Sequence, residues 1–264
     1  MRRLGQHFLF DRSIIKRILD TASLTKSDTV VEIGAGTGLM TGMISERVQK
    51  VIAIELDRRL CERLRRDLTT YRNVEIVEGD ALYYPYESIK GSFKVVANLP
   101  YYITTPIIFR LLSAKAKING MTLMIQKEVA ERIVASPGNK DYGVLSVVIQ
   151  FYTKPEIAFA VPRKLFRPPP EVDSSVLKIS ILDKPSIEVK DESYFIHIVR
   201  IAFSQRRKML INSLKAVGIG IEVIRETLLS AGIDPTRRAE TLSIEEFGRL
   251  SDALKDRTQS TIYD

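Results

Sequence analysis

The chain has 264 residues, of which 45% are hydrophobic and 27% charged, and this composition is typical of a globular protein. Its formal net charge of +8 favours an anionic partner, while a single cysteine and two histidines argue against a disulfide framework or a bound metal. No apolar run reaches the roughly 18 residues that span a bilayer, and the basic N-terminus lacks the apolar stretch of a secretory signal. We therefore expect a cytoplasmic protein with no membrane partner.

The first two thirds of the chain alternate short β-branched runs with helical patterns, which predicts βαβ units and a parallel sheet. A helix with Asp11 as its N-cap is expected first, and a second clear helical pattern covers residues 57–68. After Gly143 the pattern becomes strand-like, so a strand pair should close the end of the sheet. The predicted strands are residues 29–33, 50–55, 74–77, 93–97, 121–125, 156–161 and 175–182.

A polar stretch with a proline, residues 183–191, marks the predicted domain boundary. We expect one domain at residues 1–185 and a second at residues 186–264. The second should be helical over residues 192–215, 221–231 and 243–255. Its last helix should open with a capping box of Ser243 and Glu246. Almost all the excess positive charge precedes Lys184, so an anionic partner should lie mainly against the first domain.

Three successive strand ends carry features of a nucleoside-binding site. The first runs into a glycine turn, in which Gly34 and Gly36 let the backbone approach a ligand closely. Glu55 ends the second strand, where an acid can accept both ribose hydroxyls, and Asp80 follows the third, where it can accept from an adenine amino group. Leu39 occupies the place of the third glycine of a dinucleotide fingerprint, which argues against NAD. S-adenosyl-L-methionine is the predicted cofactor.

The fourth strand ends in Asn98-Leu99-Pro100-Tyr101, which suits methylation of an adenine N6 amino group. The Asn98 side-chain oxygen and a nearby main-chain carbonyl can accept its two N–H bonds, which aims the nitrogen lone pair at a methyl donor. Pro100 fixes φ and so holds the carbonyl of Leu99 in place. Tyr101 offers a face on which an extruded base can stack.

Together these motifs make the chain resemble the small-subunit ribosomal RNA adenine N6,N6-dimethyltransferases over nearly its full length. The matching segments are Leu4–Leu9, Glu32–Gly38, Glu55–Asp57, Gly79–Ala81, Asn98–Tyr101, Ile103–Pro106, Gln126–Val129, Asp141–Gly143, Leu145–Val147, Pro168–Pro170, Val172–Ser174, Phe203, Gln205–Lys208, Gly232–Pro235 and Arg238–Glu240.

The resemblance implies a Rossmann-like methyltransferase sheet followed by a small all-helical domain, hence an α/β fold. It implies dimethylation of two adjacent adenosines in a loop near the 3′ end of small-subunit rRNA during ribosome biogenesis. The cofactor site it implies consists of His7, Leu9, Gly34, Glu55, Asp80 and Asn98. This sequence departs from the family pattern at His7, where many members have asparagine. It departs again at Glu171, where a lysine is usual, and this puts one phosphate contact in doubt.

The basic run Arg206, Arg207 and Lys208 is expected on a helix and, from the order of the motifs, facing RNA, although such a run is often only a solvated helix face. The expected partner is the assembling small ribosomal subunit, bound by a monomer. Three other interpretations stay open. Relatives methylate large-subunit rRNA, other relatives are RNA-binding assembly or transcription factors without activity, and a nicotinamide oxidoreductase fits least because the third glycine is missing.

Overall fold

The computed structural model describes residues 7–260, so Leu4 to Gln6 of the first motif lie outside the described residues. The chain forms two compact units. Unit 1 comprises residues 1–130 and 154–181, and unit 2 comprises residues 131–153 and 182–264. This division differs from a single boundary near residue 185, because residues 131–153 pack with the C-terminal helices. The ring centroids of Phe151 and Phe195, for example, lie 4.5 Å apart.

Unit 1 is built on a seven-stranded sheet of order β4-β3-β2-β5-β6-β9-β7, and the α/β prediction is confirmed. The strands β4 to β6 in that order run parallel, and β9 pairs antiparallel with β6. The predicted strand pair is confirmed, because β7 lies beside β9 at the end of the sheet. Two further short strands, β1 and β8, pair with each other. The strands are β1 (Phe8–Leu9), β2 (Thr29–Ile33), β3 (Lys50–Glu55), β4 (Val74–Glu78), β5 (Phe93–Asn98), β6 (Ile118–Gln126), β7 (Thr153–Val161), β8 (Phe166–Arg167) and β9 (Ser174–Ile181).

Helices follow most of the strands, and the N-cap predicted for the first helix is confirmed. Asp11 accepts hydrogen bonds from the backbone of Ser13 and Ile14 at the start of α1. Asp57 caps α3 in the same way. The α-helices are α1 (Arg12–Thr21), α2 (Leu39–Ser45), α3 (Arg58–Asp67), α4 (Thr104–Ser113), α5 (Lys127–Val134), α6 (Val144–Tyr152), α7 (Glu192–Phe203), α8 (Leu210–Ser213), α9 (Ile221–Ser230) and α10 (Ile244–Ser260).

Unit 2 is helical, as predicted, but two of its details differ from the sequence interpretation. The segment after Gly143 begins with helix α6, and the strands follow it. The sequence does not indicate this helix, because its residues are almost all buried and show no amphipathic period. The helix expected over residues 192–215 ends at Phe203 and resumes only at α8. The capping box of α10 is confirmed, since the Ser243 amide donates to Glu246 at 2.8 Å and the Glu246 amide donates to Ser243 Oγ at 3.2 Å.

The register of the parallel strands brings the polar strand ends to one edge of the sheet. Ile33 pairs with Ile54 of β3 and with Ala97 of β5, and Glu55 pairs with Glu78 of β4. The interiors of β2, β3 and β5 are buried on both faces, which is typical of near-continuous runs of valine and isoleucine. The side chains that follow these strands therefore meet at their carboxyl ends, which is where open α/β sheets bind ligands.

Candidate active site

A cavity in unit 1 opens at the carboxyl ends of β2, β3, β4 and β5. Its lining contains every predicted site residue of unit 1 except Leu9, which is buried and instead lines a smaller neighbouring cavity. The main cavity is lined by His7, Phe8, Ile33, Gly34, Gly36, Ile54, Glu55, Leu56, Gly79, Asp80, Ala81, Asn98, Leu99, Pro100, Tyr101, Tyr102, Ile103 and Phe166.

The glycine turn after β2 forms the floor of this cavity. Gly34 and Gly36 have φ angles of 76° and 58°, in the left-handed region that glycine adopts without strain. A Cβ on Gly36 would lie 3.1 Å from the ring of Phe8, so a side chain there would push against the neighbouring wall. Glycine is therefore needed both for the backbone conformation and for the space that a ligand would use.

Glu55 holds the glycine turn in place from the end of β3. The side chain is only 5% exposed, and its carboxylate oxygens accept hydrogen bonds from the amides of Gly36 and Asp57, each at 2.9 Å. A carboxylate has about four lone-pair positions, so both oxygens can still accept from ligand hydroxyls. One side chain thus shapes the turn and presents acceptors for a ribose.

Asp80 lies in the turn after β4. Its Oδ1 accepts from the Leu82 amide at 2.9 Å, and Oδ2 has no hydrogen-bond partner among residues 7–260. The carboxylate is therefore oriented by the backbone and keeps an acceptor for an amino group. Its neighbours in the lining, Ile54 and Ala81, are apolar and suit the face of an adenine ring.

The tetrapeptide after β5 is fixed at each of its functional positions. Asn98 Nδ2 donates to the His7 carbonyl at 3.2 Å, which leaves Oδ1 as the acceptor of this amide. The Leu99 amide donates to the Met124 carbonyl at 3.0 Å, and Pro100 has a φ of −57°. The hydroxyls of Tyr101 and Ser174 are 2.9 Å apart. Asn98 and Leu99 are thus held by hydrogen bonds that do not use the Asn98 side-chain oxygen or the Leu99 carbonyl. These two oxygens are the acceptors that the sequence predicts for the amine.

His7 joins the N-terminal segment to this wall. Its Nδ1 lies 2.8 Å from the Pro168 carbonyl, and its ring centroid is 5.7 Å from that of Tyr101. An imidazole nitrogen held by a carbonyl oxygen is a donor, so the ring is fixed in orientation beside the tyrosine. The position where relatives have asparagine is therefore filled by a ring that packs and hydrogen-bonds within the site.

A buried acid lies behind the glycine turn. Glu32 is completely buried in β2, and neither carboxylate oxygen has a hydrogen-bond partner among the described residues. Burial and, to a lesser extent, the nearby charge of Glu55 raise the pKa of Glu32 to about 8. Glu32 is consequently protonated at neutral pH, behind the turn that Glu55 holds.

The basic run of unit 2 does not lie on a helix, contrary to the prediction. Helix α7 ends at Phe203, and Arg206 and Arg207 lie in the turn that follows, with Lys208 just beyond it. Arg207 and Lys208 are exposed and form no ion pair with any described residue. Arg206, by contrast, donates to carbonyl oxygens of its own unit.

Sequence reasoning missed several lining residues of the cavity. Phe8 lies between two predicted residues, and Leu56 directly follows Glu55, so both could have been found from neighbouring motifs. Tyr102 extends the tetrapeptide and is 56% exposed at the cavity. Phe166 reaches the site through the pairing of β1 with β8, and two-residue strands give no sequence pattern by which such a long-range pair could be recognised.

Residues 7–260 lack both a metal-binding cluster and a membrane-spanning helix. This part of the chain contains no group of three or more His, Cys, Asp or Glu side chains arranged to hold a metal ion. None of the helices within the same residues is long and apolar enough to cross a membrane.

Comparisons with known proteins agree over nearly the whole chain. A family model described as "Ribosomal RNA adenine dimethylase" matches residues 1–256. The "Ribosomal RNA small subunit methyltransferase A" of Caldanaerobacter subterraneus subsp. tengcongensis is 49% identical over 259 residues, covering 96% of this chain and 96% of that protein. A crystal structure of a dimethyladenosine transferase from Plasmodium falciparum has a TM-score of 0.80 at 28% identity, covering 92% of this chain and 96% of that chain. The structure of the 23S rRNA methyltransferase ErmE has a TM-score of 0.72 at 29% identity, covering 94% of this chain and 99% of that chain.

Proposed function

Because the chain belongs to the ribosomal RNA adenine dimethylase family, we propose that it dimethylates N6 of two adjacent adenosines in a loop near the 3′ end of small-subunit rRNA, using S-adenosyl-L-methionine. The observation that carries the proposal is the position of Asn98–Tyr101 in the same cavity as Glu55 and Asp80. A cofactor site and an amine-binding tetrapeptide share one cavity, as transfer between two bound molecules requires.

The residues present fit S-adenosylmethionine. The glycine turn leaves the space that a Cβ would fill, Glu55 provides oriented acceptors for ribose hydroxyls, and Asp80 provides one for the adenine amino group. His7 and Gly34 complete the wall next to Asn98, while we assign Leu9 to support of that wall from the smaller cavity.

We assign positioning of the target amine to Asn98 and Leu99. An adenine N6 amine is a poor nucleophile because its lone pair is delocalised into the ring. When Asn98 Oδ1 and the Leu99 carbonyl accept its two N–H bonds, the nitrogen becomes more pyramidal and its lone pair points along one direction. Since hydrogen bonds hold Asn98 and Leu99 before the substrate arrives, little reorganisation is needed during the reaction.

Tyr101 holds the base in the proposed reaction. The Tyr101 hydroxyl forms a hydrogen bond with that of Ser174, and the Tyr101 ring lies beside that of His7. Both contacts fix the orientation of the ring on which the base would stack. Stacking on an aromatic face contributes about 1–3 kcal/mol per base. Bound S-adenosylmethionine supplies an electrophilic methyl group with a neutral thioether as leaving group. The amine can therefore lose its proton after transfer, and none of these residues has to act as a strong base.

The RNA partner should be recognised by its phosphates and by an unpaired, extrudable adenosine. Arg207 and Lys208, as exposed cations, are the proposed phosphate contacts of unit 2. We further propose that the protein acts as a monomer in the cytoplasm on the assembling small subunit. The similarity to small-subunit methyltransferases over 95–97% of the chain supports the small subunit as the partner.

The test is to incubate the protein and radiolabelled S-adenosylmethionine with small subunits that lack the modification. Nuclease digestion of the rRNA should release labelled N6,N6-dimethyladenosine from two adjacent positions. A folded protein that binds the cofactor and transfers no methyl group would contradict the enzymatic proposal and favour the RNA-binding, non-enzymatic alternative.

A large-subunit substrate is the second candidate, because the structural similarity includes the 23S rRNA methyltransferase ErmE. The same assay with large-subunit rRNA as acceptor separates the two possibilities. Label in small-subunit rRNA alone supports the proposal, whereas label in large-subunit rRNA alone replaces it with the second candidate.

A further inference from the structure

The entrance of the main cavity of unit 1 carries an aromatic side chain that the proposed function does not use. Among the described residues that line the cavity, only Tyr102 and Leu56 are exposed, at 56% and 47% of their surface. Leu56 has no aromatic face. Tyr102 is therefore the surface at the entrance on which a flat ring from outside the cavity can stack.

Tyr102 differs from the preceding Tyr101 in what holds its side chain. The Tyr101 hydroxyl lies 2.9 Å from that of Ser174, and the Tyr101 ring packs beside His7. The Tyr102 hydroxyl has no hydrogen-bond partner among residues 7–260, and its ring contacts no other aromatic ring of that part of the chain. Single exposed aromatic residues are common on protein surfaces, but this one lies where a ligand of the cavity would cover it.

Two acids near Tyr102 limit the kind of group that can approach it. Partial burial and, to a lesser extent, the nearby charges of Asp80 and Glu55 raise the pKa of the Tyr102 hydroxyl. The ring therefore lies on the same side of the cavity as these two acids. Carboxylates repel phosphates, whereas an uncharged base meets no such repulsion. An RNA chain that passes this side of the entrance should present a base to Tyr102 rather than its backbone.

The position of Tyr102 in the chain indicates which base this is. Tyr101, on which the target base would stack, is the preceding residue of the same turn, so the two Cα atoms are about 3.8 Å apart. Only the target base has to enter the cavity, and the nucleotide next to it stays outside, within reach of the entrance. Two consecutive aromatic residues, one inside and one at the entrance, thus suit two consecutive bases.

We propose that Tyr102 is a second stacking surface, which binds the base next to the target, so that one adenosine of the pair is held there while the other is methylated. This inference rests on the proposed function, because it takes the substrate to be RNA with two adjacent adenosines. Adenine offers a larger face for stacking than a pyrimidine does. Tyr102 would therefore select for the adenosine pair through RNA affinity rather than through the chemical step.

The stacking role is tested with variants that remove the ring or only the hydroxyl. Single-turnover methylation of small subunits that lack the modification, over a range of subunit concentrations, gives the affinity and the maximal rate. Y102L should weaken the affinity roughly tenfold, as loss of one stacked base does, and keep the maximal rate. Y102F keeps the ring and should keep the affinity. The matched control is Y83L, at a tyrosine of unit 1 that is 84% exposed and does not line the cavity.

The partner of the ring is tested by changing the RNA. In reconstituted small subunits, uridine replaces each adenosine of the pair in turn, and methylation of the remaining adenosine is followed. The wild type should bind these subunits more weakly than subunits with both adenosines, because uracil stacks less well. Y102L should lose little further affinity on them, because the contact is already missing. If the two changes are additive, or if Y102F binds as weakly as Y102L, Tyr102 does not stack on the neighbouring base and the inference is wrong.

Other outcomes separate the possible failures. If Y102L binds S-adenosylmethionine more weakly in calorimetry but keeps the wild-type affinity for subunits at saturating cofactor, Tyr102 covers the cofactor and the inference is overturned. If Y102L behaves like Y83L while the wild type still produces dimethyladenosine, only this inference fails. A wild type that produces none would contradict the proposed function instead. Thermal unfolding of each variant at the wild-type temperature confirms that the comparison involves folded protein, and the response of the wild type to uridine needs no variant.

Discussion

The two units of this protein differ in how their charges are arranged. Unit 2 has equal numbers of basic and acidic residues, so the whole net charge of +8 lies in unit 1. Yet many charged residues of unit 2 form ion pairs with each other, as Lys190 does with Asp256 and Lys255 with Asp191. A few of its exposed cations form no ion pair with any described residue. Net charge therefore indicates which unit attracts a polyanion, whereas unpaired cations indicate where a neutral unit can contact one.

The units also differ in how their functional groups are brought together. In unit 1 the site consists of residues at the ends of neighbouring parallel strands, so each belongs to a short local motif. In unit 2 the proposed phosphate contacts, Arg207 and Lys208, lie in a turn that Arg206 joins to a loop about 65 residues earlier. Substitutions of these strand-end residues in the cavity of unit 1 should thus affect the chemistry and cofactor binding, whereas substitutions of the exposed cations of unit 2 should affect RNA affinity alone.

The largest effect should come from N98A in unit 1. Removing the acceptor of the target amine should lower the methyl-transfer rate about 10²–10³-fold, as loss of one preorganised polar group does in other enzymes. RNA affinity should stay nearly unchanged, because the contact matters more in the transition state than in the ground state. Single-turnover kinetics measures the rate, and N119A, at an exposed asparagine of β6, serves as the control. Full activity in N98A would refute the assigned role.

The second prediction concerns Glu32, the buried acid of β2 in unit 1. The folded-state pKa of Glu32 is about 8, raised by burial above an ordinary value of 4.5. Between these two pH values the folded protein holds a proton that the unfolded chain has released, so Glu32 makes the protein less stable as pH rises. Glutamine mimics the protonated form and removes this dependence.

Urea unfolding of the wild type and E32Q at pH 5, 6, 7 and 8 measures the difference in unfolding free energy. E32Q should gain up to about 1.4 kcal/mol relative to the wild type for each pH unit between pH 5 and 7, and less as the pH approaches 8. Taking the difference cancels other carboxylates, such as Asp28 and Glu87, whose pKa values are lowered in the folded protein. Parallel profiles for the two proteins would show that Glu32 is ionised when folded.

The third prediction separates cofactor binding from catalysis in unit 1. E55A should weaken S-adenosylmethionine about 10–100-fold, because it removes both the ribose acceptor and the hydrogen bonds to Gly36 and Asp57. Calorimetry measures the affinity, and higher cofactor concentration should partly restore the rate. E62A, at an exposed acid of α3, is the control. A rate defect in E55A that saturating cofactor leaves untouched would place Glu55 in the chemical step instead.

The sequence was sufficient to predict the sheet and most of the cavity, and the reason is local. Parallel strands all end at the same edge of their sheet. The side chains that end or follow these strands, Gly34, Glu55, Asp80 and Asn98, could therefore be placed together once the strands were recognised as parallel. Leu9 and Phe166 could not be placed, because β1 and β8 are too short to show a period and their pairing joins distant segments.

Unit 2 was harder to predict because its helices do not follow simple patterns. Helix α6 is buried almost throughout and rich in valine, so its sequence indicates a strand. The end of α7 at Phe203 has no glycine or proline to mark it, and Ser204 closes the helix by hydrogen bonding back to Ile201. What Arg206 does depends on carbonyl oxygens about 65 residues earlier, which no local pattern contains.

The smallest expected effect compares the two units directly, through charge reversal of one exposed acid in each. E171K in unit 1 restores the charge usual in the family and should raise RNA affinity about threefold at 50 mM KCl, fading as salt screens the surface. E188K in unit 2 makes the same change at an exposed acid far in sequence from Arg207 and Lys208 and should have little effect. Filter binding across a salt series measures both. Equal gains in affinity for the two variants would mean that RNA binding depends only on the total charge of the protein. The difference between the two units in how they attract RNA would then be wrong.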